Sequence, residues 1–100
     1  MYLIHVRLRA AAGAVLPPDV AGIFTSFADG DDSVEHIAVH PDAPDGPTLG
    51  LFLAAPSLAA AEAAAARLSR RAVAGHASLR GFAVVASEAP LLPGPWWGTA

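Results

Sequence analysis

SLAAAEAAAARLSRRAVAG, residues 57–75, carries nine alanines among nineteen residues and is the stretch that decides the fold. Ala and Leu lose little side-chain freedom on becoming helical, so the run is locally committed to helix. Both ends are marked. Ser57, directly after Pro56, supplies an N-cap hydroxyl, and Gly75 suits the left-handed residue that closes a C-terminus. A helix is expected from about Leu58 to Ala74. Leu58, Ala61, Ala65, Leu68 and Ala72 recur at spacings of three and four and form one apolar stripe. Glu62, Arg67, Ser69, Arg70 and Arg71 fall largely off it. A narrow stripe of small side chains packs close to its neighbour, as on a sheet. The three arginines read as a solvated face that complements the negative end of the helix dipole.

The flanking segments supply strands. Tyr2, Ile4, Val6 and Leu8 alternate with Leu3, His5, Arg7 and Arg9, the period-two pattern of a half-buried strand. Pro17, Pro18 and Asp19 open a short helix in which Val20, Phe24 and Phe27 share a face with Ile23 beside them. The cluster Asp29, Gly30, Asp31, Asp32 and Ser33 follows. It has too few further ligands for a calcium loop and reads as a solvated turn. A second strand, Val34 to His40, sets Ile37 and Val39 on one face and His36, Ala38 and His40 on the other. The proline-rich stretch from Pro41 to Pro47 is a loop, Thr48 to Ala54 a third strand, and Phe82 to Ser87 a fourth.

The order strand, helix, strand, strand, helix, strand is the split βαβ, ferredoxin-like pattern of the α+β class. It implies a four-stranded antiparallel sheet with both helices on one face. The chain resembles, by that element order over roughly Met1 to Glu88, the dimeric α+β barrel superfamily. That group includes small antibiotic-biosynthesis monooxygenases, aromatic polyketide cyclases and muconolactone-isomerase-like proteins. The resemblance implies a homodimer in which two bare sheet faces enclose a barrel with a pocket.

Composition removes several functions. With 100 residues, 54% hydrophobic and 15% charged, the chain suffices for one core. The expected division is a domain over residues 1–89 and a Pro/Trp-rich arm over residues 90–100. A net charge of −3 offers no footprint for nucleic acid. No cysteine exists for a disulfide or a thiolate metal site. His5, Arg7 and Arg9 interrupt the N-terminal apolar residues, so no signal peptide is expected and a cytoplasmic location fits. Leu49 to Leu68 is apolar, yet Pro56, Ser57 and Glu62 divide it, which argues against a membrane span. The dispersed glycines form no phosphate-binding loop, so no cofactor is indicated, and no serine sits in a nucleophile elbow.

Candidate functional residues gather on the face away from the helices. Leu3, His5, Arg7, Arg9, His36, His40 and Phe52 should project there. On one strand, His36 and His40 lie roughly 13 Å apart, and the intervening third strand puts His5 and His36 about 10 Å apart, so no single-chain metal site is expected. The histidines read either as polar outer-face residues or, for His5 and His36, as a general base. Asp42 and Asp45, in the loop after His40, are turn-formers or orient that histidine. Trp96 and Trp97 make the arm a lid for an apolar ligand or a clasp on a partner subunit.

Two functions emerge. One is a non-enzymatic binding or accessory protein of biosynthesis that holds an apolar small molecule or a peptide with His5, Arg7, His36, Phe52, Trp96 and Trp97. The other is a cofactor-independent monooxygenase or cyclase acting on an aromatic, polyketide-like substrate, with His5, Arg7 and His36 as candidate groups. The first needs no acid–base pair that the sequence fails to supply. Two helices cover one sheet face, so Leu3, Phe52 and alternate residues of the fourth strand are left for a symmetric partner, and a homodimer is expected.

Overall fold

The computed structural model describes residues 1–89. Strands β1 (Tyr2–Ala10), β2 (Val34–His40), β3 (Thr48–Leu53) and β4 (Phe82–Glu88) form one sheet. Helix α1 (Val20–Ser26) lies between β1 and β2, and α2 (Leu58–Gly75) between β3 and β4. The strand order is β2-β3-β1-β4 and every pairing is antiparallel, which is the ferredoxin-like arrangement read from the sequence. The arm over residues 90–100 lies outside the described residues.

The alternation of β1 sorts as its pattern requires. Ile4, Val6 and Leu8 are buried and meet Leu49, Leu51 and Leu53 of β3, Ile37 of β2 and the buried faces of both helices in one core. Helix α2 brings Ala61, Ala64, Ala65, Leu68 and Ala72 to that core. The Ser57 hydroxyl accepts the Ala60 N–H at 3.1 Å, the expected N-cap.

Three features of α2 differ from the reading of its sequence. Leu58 stands off the core at 42% exposure, because the buried face begins one turn later at Ala61. Ser69 is fully buried and its Oγ has no hydrogen-bond partner among the described residues. Gly75 is the last helical residue, and an extended His76 ends the helix in place of a left-handed glycine. Gly75 serves a neighbour instead. A Cβ there would fall 2.6 Å from Cε1 of Phe27, the residue that caps α1, so the glycine lets the ring lie against the helix.

The acidic turn and the arginines also prove to be joined. Residues Gly30–Asp32 form a short 3₁₀ turn, and Asp32 is buried at 2% exposure. Arg71 Nη2 donates to Asp32 Oδ2 at 2.6 Å and to the Phe27 carbonyl at 3.0 Å. Arg67 approaches the same carboxylate at 3.6 Å, and the Asp29 N–H donates to it at 2.8 Å. The turn is therefore an internal clasp between the two helices, since a buried carboxylate requires a charged partner and donors. Arg71→Ala should lower stability by about 1–3 kcal/mol by stranding Asp32, whereas Arg70→Ala should stay within about 0.5 kcal/mol. Chemical denaturation of both variants checks this, and equal effects would reject the clasp.

Candidate functional site

The face of the sheet opposite the helices is built from three rows of side chains set by strand register. Leu3 pairs with Phe52 and Phe52 with His36, His5 with Gly50 and Gly50 with Ala38, and Arg7 with Thr48 and Thr48 with His40. On the other side of β1, His5 pairs with Glu88 and Arg7 with Ala86. A register shift between Arg7 and Leu8 inserts an extra residue into β4, and Val85 is left 45% exposed. Leu3 and Phe52 are half-buried, so this face exposes less apolar surface than the sequence leads one to expect.

The structure brings together a pair that strand spacing alone does not reveal. His5 and His40 stand on strands separated by β3, yet their ring centroids are 6.1 Å apart at an interplanar angle of 60°. Gly50 of β3 lies between the two strands, with no side chain beside the His5 ring. A Cβ on it would lie 3.7 Å from His5 Cδ2, an ordinary contact, and 3.2 Å from Leu3 Cδ1, so the tight approach at this glycine is that of Leu3. His36 does not join them; it packs on Phe52 with centroids 5.6 Å apart. Trp96 and Trp97, read from the sequence as binding residues, lie outside the described residues.

His5 and His40 open into a groove of about 520 Å³ walled by Val39, Thr48 and the Pro41–Pro44 segment of the β2–β3 loop. A second groove of about 390 Å³ follows along β1, lined by Arg7, Arg9, Val85 and Asp45–Pro47. Asp42 contributes to the first wall but makes no hydrogen bond to His40 among the described residues. No three His, Asp or Glu side chains among those residues are placed to hold a metal ion together. No helix among them is long and apolar enough to cross a membrane.

Burial, and secondly the neighbouring His40 imidazole, hold the His5 pKa below its usual value. A neutral imidazole in the groove is both a donor and an acceptor, able to orient a polar group or take up a proton. Position 50 offered one sequence signal for the site, because a lone glycine inside the apolar strand TLGLFL marks a close approach.

Comparison of the chain with protein families, curated proteins and solved structures returns no match. The likeness to dimeric α+β barrels therefore stands on element order and fold alone.

The sign of the pH response follows from His5. The unfolded chain takes up a proton on this residue near the usual value of about 6.5, before the folded chain does. Stability contributed by the neutral form is thus complete above that value and lost as pH falls through the window below it. NMR titration should place His5 below an unperturbed imidazole, and His40→Ala should shift it part of the way back up. His5→Gln should reduce the loss of melting temperature between about pH 7.5 and about pH 5. A His5 midpoint at or above the usual value would overturn the assignment.

Proposed function

We propose that the protein is a binding module that holds a small, largely apolar molecule on its outer sheet face, in the groove headed by His5 and His40. The observation that carries this is the approach of the His5 and His40 rings, with centroids 6.1 Å apart, at the head of an apolar groove. Small-molecule sites combine concave apolar walls with a few convergent polar groups, and their volumes run from about 300 to about 1,000 Å³. The groove, at about 520 Å³, falls inside that range. Val39, Pro41, Ala43 and Pro44 supply the apolar wall, and the two histidines the polar contact. Arg7 lies on the same strand and face as His5, while His36 and Phe52 form the neighbouring row.

A second reading is favoured by the state of His5. A half-buried neutral imidazole at the wall of a substrate-sized groove is the form a general base requires, which supports a cofactor-independent oxygenase or cyclase acting on an aromatic substrate. Against it, no carboxylate among the described residues is hydrogen-bonded to His5 or His40, so neither ring is oriented as bases usually are. Holding the molecule demands less of the site than transforming it.

In either reading a second copy of the chain completes the pocket. Val85, exposed at the bulge of β4, is the apolar side chain on which a two-fold contact would centre, and Leu3 and Phe52 lie half-buried two rows further along the sheet.

Native mass spectrometry of freshly purified protein should find a bound small organic molecule. His5→Ala and His40→Ala should each weaken its retention about ten-fold while leaving the fold intact by circular dichroism. Retention unchanged in both variants would discard the groove, and conversion of the released molecule into a product by the protein would favour the enzyme. Light scattering at micromolar concentration should give a mass of two chains, reduced to one by Val85→Asp. A single-chain mass for the unaltered protein would remove the dimer.

A further inference from the structure

The two grooves adjoin. Thr48 lines the first, its register partner Arg7 lines the second, and the β2–β3 loop walls both, with residues 41–44 on one side and 45–47 on the other. His5, Arg7 and Arg9 stand on the same face of β1, successive members about 7 Å apart. The first groove is apolar apart from its imidazoles, Thr48 and Asp42, whereas the second presents two guanidinium groups.

Neither guanidinium is neutralised among the described residues. Arg7 and Arg9 have no carboxylate within 4.0 Å among the described residues, although Asp45 lines the same groove. Two of the three arginines of α2 behave differently, since Arg67 and Arg71 are both paired to Asp32. In a chain of net charge −3, two arginines side by side beside an apolar groove, without a carboxylate partner among the described residues, are a local departure from the overall balance. Arg7 is also half-buried, so the sheet holds its stem and limits the entropy lost when it engages a ligand.

Resting on the binding reading above, we infer that the ligand is an amphipathic organic anion. Its apolar body lies between the His5–His40 pair and the proline-walled loop, and its carboxylate is received by Arg7 and Arg9. A planar guanidinium matches a carboxylate with two parallel N–H···O bonds, and those bonds strengthen where water is partly excluded. Asp45 sets a counterweight at the rim that disfavours polyanions, so a single negative charge is the preferred load.

The test pairs 2-naphthoate with its neutral counterpart 2-naphthylmethanol as probes of the full chain, read by calorimetry. The acid should bind at least about ten-fold more tightly than the alcohol, and added salt should erode that difference. Arg7→Gln with Arg9→Gln should bring the acid down to the affinity of the alcohol and leave the alcohol unchanged. Arg9→Gln alone, at an exposed position, should give part of the loss with no change in melting temperature, which separates ligand contact from folding. Equal binding of both probes, or acid binding indifferent to the arginines, overturns the anion assignment while the groove survives. Failure of both probes to bind removes the groove and the assignment together.

Discussion

The packing of the alanine face of α2 on the sheet is the contact on which the rest depends. Ala61, Ala64, Ala65 and Ala72 are buried and only a methyl group deep, so the helix can approach the strands closely. Leu68 is the one large side chain that α2 buries, and its complete burial contributes about 2–3 kcal/mol. The core is therefore thin, and its large members come mostly from the sheet: Ile4, Val6, Leu8, Leu49, Leu51 and Leu53. One face of every central strand is consumed by this contact. Only the other is left open, with the grooves along it.

That division also separates two uses of charge. Beneath the helices, charge is structural: Arg71 holds the buried Asp32, and the pair ties the turn after α1 to the end of α2. On the open face the charged groups stand apart: among the described residues Arg7 and Arg9 have no carboxylate partner, and the imidazoles face each other in place of an acid. An arginine bound to a buried carboxylate spends its interaction on holding the fold, whereas an unpaired cation at a groove would keep its interaction for a guest.

What was legible in the sequence is what is local. The alternation of β1, the helix cap at Ser57 and the prolines of the β2–β3 loop each declare themselves within a few residues, and element order then carries the fold. The outer-face placement of His5, Arg7, His36 and Phe52 follows from the same alternation. Contacts between distant residues were not legible. Arg71 and Asp32 are 39 positions apart, and no periodicity links them. Gly75 carries the usual mark of a helix stop, yet its purpose is the ring of Phe27, 48 positions earlier. The nearness of His5 and His40 was not legible either, because strand spacing puts side chains on non-adjacent strands about 10 Å apart, and only the leaning of the two rings brings their centroids to 6.1 Å.

The β2–β3 loop is fastened to β1 at its far end. The Leu8 N–H donates to the Pro47 carbonyl at 2.8 Å, and Gly46 adopts a φ of 111° with its Cα so close to the strand that a Cβ would lie 2.8 Å from the Leu8 carbonyl oxygen. Pro41, Pro44 and Pro47 restrict the backbone between that attachment and the end of β2. The wall of the groove is thus tied down by the fold itself, so under the proposed binding reading little conformational entropy would be lost when a guest is held. Such a wall would select by outline, rewarding guests that match the standing contour over flexible ones.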